Sequence, residues 1–116
     1  LDNNCINEIG KIITCNNTYT FMEREEKTTR KVVYIDDFGN IILDLKKEEI
    51  EKMKNWGLLY KNLTFNKISK FYSEVKPEEL LLLINSLGFV EIAMREGSAA
   101  KKLNAKIGDE YFIRNS

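Results

Sequence analysis

Residues 80–94 read LLLLINSLGFVEIAM, two apolar runs separated by a polar, glycine-containing bend. Leu80–Ile84 and Phe89–Met94 have the length of strands, and Asn85-Ser86-Leu87-Gly88 between them has turn chemistry. The pair predicts an antiparallel hairpin. Reading back from it, Pro77 punctuates the chain, and Ile68–Val75, Leu63–Phe65 and Leu58–Tyr60 read as further short strands. Reading forward, Ser98 caps a short helix through Leu103 and Asn104 suits its left-handed end. Ile107-Gly108-Asp109 then turns the chain into a last strand, Tyr111–Ile113.

The first half of the chain extends the pattern. Lys31–Asp36 and Ile41–Leu43 flank the turn Phe38-Gly39-Asn40, which predicts a second hairpin. Asp44 is expected to cap a helix running to about Asn55, with Leu45, Ile50, Met53 and Trp56 on one side and Gly57 as its terminator. Thr18–Met22 reads as a strand, with the charged stretch Glu23–Arg30 as a loop after it. Residues 6–14 look like the end of a helix broken at Gly10. Many short strands and two brief helices give a mainly β chain, an antiparallel β-barrel with one or two short helices.

Bulk properties narrow the function. A length of 116 residues allows one domain with a core of its own. Lys plus Arg number 18 and Asp plus Glu number 18, so no net positive field gathers nucleic-acid phosphates. The longest apolar run, Leu80–Ile84, falls far short of the roughly 20 residues of a membrane span. No secretory signal is evident, and Cys5 and Cys15 are expected as free thiols in a reducing cytoplasm. Two cysteines without any His make no zinc site. The missing His also removes the side chain best suited to acid–base work near neutral pH.

Three segments carry candidate chemistry. Tyr34-Ile35-Asp36-Asp37-Phe38-Gly39-Asn40 gathers a carboxylate, an aromatic ring and a carboxamide at one strand end. A carboxamide offers donors and an acceptor to a base edge, and a ring can stack on the base face. The same composition also makes an ordinary turn. If Asn40 reads a base, Asn40→Asp should keep the melting temperature and lose ligand affinity; if it is only a turn residue, the exchange should be nearly harmless. In the second segment, Ser86 and nearby amides suit a carboxylate, or form a plain hairpin bend. In the third, Gly97-Ser98-Ala99-Ala100 opens a helix and lets a ligand approach free N–H groups, or simply caps it.

In this order the three segments, extended by Lys101-Lys102-Leu103 and Ile107-Gly108-Asp109, resemble the C-terminal barrel of the S-adenosylmethionine (SAM) hydroxide adenosyltransferases. That family is related to the SAM-dependent fluorinase and chlorinase. The resemblance spans about residues 30–113, and residues 6–13 look like the end of the family's N-terminal domain. It therefore implies that residues 1–16 close an N-terminal domain and that residues 17–116 form a C-terminal, SAM-binding barrel.

The resemblance further implies a trimer, with SAM held between one subunit's barrel and a neighbour's N-terminal domain. Water activated in the N-terminal domain attacks ribose C5′ and gives adenosine and methionine. SAM is then the substrate, with no separate cofactor, no metal and no catalytic residue in this chain, which alone should be inactive. Carried over by motif, Asn40 bonds the adenine edge, Phe38 and Tyr72 pack on the base, and Asp36 pairs with the methionyl ammonium. Ser86 meets the methionyl carboxylate, and the backbone at Gly97, Ser98 and Ala99 lines the adenine side. Leu87 stands where the halogenases have Arg, which favours water over halide as nucleophile.

A second reading comes from the aromatic set Tyr34, Phe38, Phe71 and Tyr72, a potential stacking platform for single-stranded bases. It describes a non-enzymatic barrel that binds a protein or a nucleic acid, and the zero net charge stands against it.

Overall fold

The computed structural model describes residues 26–115. The expected strand Thr18–Met22, the expected helix at 6–14, both cysteines and the proposed boundary at residue 16 lie outside them. Seven strands run in the order β1 (Glu26–Ile35), β2 (Ile41–Lys46), β3 (Trp56–Tyr60), β4 (Leu63–Phe65), β5 (Leu80–Ile84), β6 (Phe89–Met94) and β7 (Glu110–Asn115). Two short helices, α1 (Lys47–Glu51) and α2 (Ala99–Leu103), and a single 3₁₀ turn at Tyr72–Glu74 complete the described chain.

Every strand pair is antiparallel, and the sheet order is β4-β3-β7-β1-β2-β6-β5. The long strand β1 belongs to both halves of the sheet: its first part pairs with β7 and its second with β2, with a bulge between Val32 and Tyr34. Bulges bend a strand and strengthen its twist, so the sheet curls on itself there. Beyond β4, Ser69 N–H donates to Leu82 O at 2.8 Å, which brings the two sheet edges together. The result is a nearly closed seven-stranded barrel, as the strand pattern predicts.

Alternation fills the barrel. Val32, Ile41, Leu43, Leu45, Leu58, Tyr60, Leu82, Val90, Ile92, Tyr111 and Ile113 point into one buried cluster. Two tyrosine hydroxyls in this set find acidic partners, as buried hydroxyls must. Tyr111 donates to Asp44 Oδ1 and Tyr60 to Asp109 Oδ2, each at 2.6 Å. Burial first, then the hydrogen-bonded carboxylate, pushes both phenols far above their usual value.

Four sequence expectations change. Glu26–Arg30, expected within a charged loop, is strand, because β7 supplies a register from Glu26↔Asn115 to Lys31↔Glu110. The helix expected from Asp44 to Asn55 shrinks to Lys47–Glu51, since Leu45 is needed in the core and Asp44 is claimed by Tyr111. Gly57 does not terminate it but sits within β3 opposite Arg114, whose guanidinium would lie 3.0 Å from an added Cβ. Ile68–Val75 is not a strand; it crosses the outside of β5 and β6, and its Val75 covers Leu81, Leu83 and Ala93. Strands β4, β5 and β6 keep their expected limits.

Candidate functional site

The turn between β1 and β2 is tied by a single carboxylate. Asp36 Oδ1 accepts from the backbone N–H groups of Phe38 and Asn40, both at 2.9 Å, and Oδ2 accepts from Asn40 Nδ2 at 3.0 Å. Gly39 has φ +87°, in the region that favours glycine, and a Cβ there would collide with the Ser98 side chain. The Gly39 carbonyl accepts from Ala100 N–H at 2.8 Å. The turn is therefore fastened to the start of α2, and Phe38 is left 80% exposed at its tip.

Beside this turn lies a cavity of about 360 Å³, lined by Phe38, Asn40, Tyr72 and the segment Met94–Gly97. That volume is at the small end of small-molecule sites. Its lining offers two rings, a carboxamide and a bend of backbone, a combination suited to a flat heteroaromatic group. Tyr72 reaches the cavity from the segment that crosses β5 and β6, and Arg95 Nη1 pins that segment by donating to Val75 O at 2.7 Å.

A second, acidic region adjoins the cavity at Tyr72. Glu91, in the middle of β6, is paired in register with Ile42 on one side and Leu83 on the other. Its neighbours Val90 and Ile92 enter the core, so alternation turns Glu91 to the outer face, beneath the crossing segment. Burial first, then the charge of Asp36, pushes its carboxyl above the usual range, against a lowering hydrogen bond from Asn85. The Tyr72 phenol is raised by burial and by the charges of Glu91 and Asp36.

The predicted residues are thus distributed unevenly. Phe38, Asn40, Tyr72 and Gly97 meet at the cavity. Asp36 stands behind Asn40 and near Tyr72, with most of its bonding spent on the turn. Ser98 Oγ accepts from Lys101 N–H at 3.1 Å as the cap of α2, while Ala99 is fully buried. Ser86 sits apart, in the bend between β5 and β6. That bend adjoins the far end of β2, where Lys47 N–H donates to Gly88 O, whereas the Asp36–Asn40 turn adjoins its near end. Sequence reasoning missed Met94, Arg95 and Glu96 in the lining and Glu91 beside it. A single charge inside the apolar run FVEIAM was the available signal for Glu91.

Asn40 is not in a left-handed conformation; among the described non-glycine residues only Lys61, Glu78, Glu96 and Asn104 have positive φ. The expected thermal neutrality of Asn40→Asp therefore needs revision, because the new carboxylate would face Asp36 across the turn.

Residues 30–112 match the family described as the SAM hydroxide adenosyltransferase C-terminal domain. The chain belongs to this family. It is 31% identical over 119 aligned residues to the (R)-S-adenosyl-L-methionine hydrolase of Methanocaldococcus jannaschii, an alignment covering 90% of this chain. The chain spans 44% of that relative's length. Among solved structures it resembles an uncharacterized conserved protein from Thermotoga maritima, at 27% identity and TM-score 0.63, covering 83% of this chain and 40% of the other. A conserved hypothetical protein from Thermus thermophilus shares the fold at 22% identity and TM-score 0.60, over 73% and 34% of the two chains. The SAM hydroxide adenosyltransferase barrel thus coincides with the seven-stranded unit, whose β1–β2 turn, Tyr72 and the segment Met94–Gly97 line the cavity.

Proposed function

We propose that this barrel is the SAM-binding half of a SAM hydrolase active site. The observation that carries this reading is the cavity of Phe38, Asn40, Tyr72 and Gly97 in a chain of this family. Adenine enters the cavity, with Phe38 and Tyr72 against its faces and Asn40 at its edge. Asn40 Nδ2 spends one hydrogen on Asp36, which leaves its second N–H and its carbonyl for the base. The methionyl end runs along the outer face of β6, its ammonium toward Asp36 and its carboxylate toward Ser86.

The reaction asks little more of this half. Water attacks ribose C5′, the C5′–S bond breaks, and the sulfonium leaves as the neutral thioether of methionine. Such a leaving group needs no general acid, so orientation and electrostatics do most of the work. The proton lost by water goes to a group outside this chain, which contains no His. That group belongs to an N-terminal catalytic domain, supplied by a neighbouring subunit of a cytoplasmic homotrimer. The exposed Leu87 beside Ser86 offers no charge to a halide-transferring clamp, and water is the nucleophile.

Calorimetry and product analysis test the division of labour. The isolated barrel is expected to bind SAM or adenosine weakly and release no methionine. Hydrolysis of SAM by these 116 residues alone would refute the half-site. Salt-dependent binding of single-stranded RNA without SAM binding would favour the stacking-platform reading instead.

A further inference from the structure

We propose that Arg95 and Glu74 are positioning residues, which together hold Tyr72 against the cavity. The inference rests on the SAM-binding reading and deepens it.

Phe38 and Asn40 belong to a turn bonded between two strands, and Met94 ends β6. Tyr72 has no such support. It lies in the segment that crosses β5 and β6, within a 3₁₀ turn of three residues, and it is 43% exposed. Ser69 N–H bonds Leu82 O at 2.8 Å where the crossing begins, and Glu78 N–H bonds Arg95 O at 2.7 Å where it ends. Between these points, among the described residues, no backbone-to-backbone hydrogen bond joins the segment to a strand. Ordering a connection of this kind costs conformational entropy at every residue, and no ladder offsets it.

Two charged side chains hold the segment instead, one on each side of Tyr72. On the near side, Glu74 Oε2 accepts from the backbone N–H of Lys70 at 2.8 Å and of Phe71 at 3.3 Å, which closes the turn around the ring. The Lys70 N–H is the main reason that this carboxyl lies below its usual range. Lys67 Nζ stands 3.4 Å from the other oxygen, an exposed ion pair of the kind that contributes little. The acceptor oxygen therefore matters more than the charge. On the far side, Arg95 Nη1 donates to Val75 O at 2.7 Å, a charge-assisted bond of the stronger class. Arg95 is itself anchored, because its N–H donates to Glu79 O at 3.0 Å and its carbonyl accepts from Glu78. One residue thus lines the cavity and also grips the segment that brings Tyr72 to it. A ring held in place beforehand meets a base without a further ordering cost.

The test uses the protein expressed from its native reading frame, with SAM affinity measured by calorimetry and chymotrypsin cleavage mapped after Phe71 and Tyr72. Arg95→Gln and Glu74→Ala should each weaken SAM about tenfold and speed cleavage at those two sites alone. Glu74→Gln keeps an acceptor oxygen and should stay near wild type in both readouts. In a Tyr72→Ala background, Arg95→Gln should weaken SAM little further, because the ring it positions is gone. An equal loss in both backgrounds overturns the proposal, since Arg95 would then act on SAM or on the whole fold. Faster cleavage at every site, or unchanged SAM affinity in Arg95→Gln, also overturns it and leaves the hydrolase reading intact. Failure of wild type to bind SAM would remove the hydrolase reading and this inference with it.

Discussion

Asn40 gives its side-chain amide to the carboxylate of Asp36, four residues earlier, and the two backbones are bonded across the same turn. Asn40→Asp replaces that donor with an acceptor carrying a second negative charge. The variant should lose about 1–2 kcal/mol of stability, with part of the loss screened by salt. Thermal melts at two ionic strengths check this, and an unchanged melting temperature would mean the bond contributes nothing.

Gly39 and Gly88 share a positive φ but differ in their surroundings. A Cβ at Gly39 strikes Ser98, whereas one at Gly88 meets nothing within 4 Å. Gly88→Ala should cost only backbone strain, about 1 kcal/mol, and Gly39→Ala about 3 kcal/mol or more as α2 is pushed away. Chemical denaturation of the two variants ranks them; equal losses would contradict the close approach of the turn to the helix.

Tyr111 is fully buried, and its hydroxyl is bonded to Asp44 at 2.6 Å. Tyr111→Phe keeps the ring but leaves the carboxylate short of a donor, at a cost of about 1–3 kcal/mol. Each kcal/mol should lower the melting temperature by about 4–8 °C in a domain of this size. A shift smaller than that would assign Asp44 to other donors, such as Tyr111's neighbour Arg30, whose Nη1 already bonds the Asp44 carbonyl.

Glu91 should make stability fall as pH rises. Its folded-state value is raised above the ordinary 4.5, mainly by burial, so the protonated form suits the fold better. The stabilisation it gives is complete below the unfolded value and is lost as pH rises through the folded one. Glu91→Gln imitates the protonated form. It should melt higher than wild type near neutral pH, and the advantage should vanish near about pH 4. Melting curves across that range decide it; a variant less stable at neutral pH would mean Glu91 is held by stronger donors than Asn85.

The elements legible in the sequence were those whose own residues determine them. Strands β5 and β6 are apolar runs with a turn between them, and Ser98 and Asn104 frame α2 with a side-chain cap and a left-handed residue at φ 52°. Elements determined by distant partners were not legible. Glu26–Arg30 becomes strand through β7, far along the chain, and Asp44 gives up a capping role because Tyr111 needs an acceptor. The site divides the same way. Phe38 and Asn40 announce themselves as turn residues, but Met94 and Arg95 join them only because β6 ends beside that turn. Nothing local to Glu91 says that Asp36 stands near it.

The six-residue ladder between β1 and β7 sets Glu26 opposite Asn115, the first and last described residues, on one rung. Along the chain the described strands then form almost a ring, whose two ends meet on the β1–β7 pair in the middle of the sheet. A short flexible linker from Asn115 to Glu26, replacing residues 1–25 and 116, with new termini opened at Lys61-Asn62, gives a circular permutant of the described barrel that keeps every strand pair and loses only the connection between β3 and β4. The cavity, built by the β1–β2 turn, Tyr72 and the segment Met94–Gly97, is untouched by the join or by the cut.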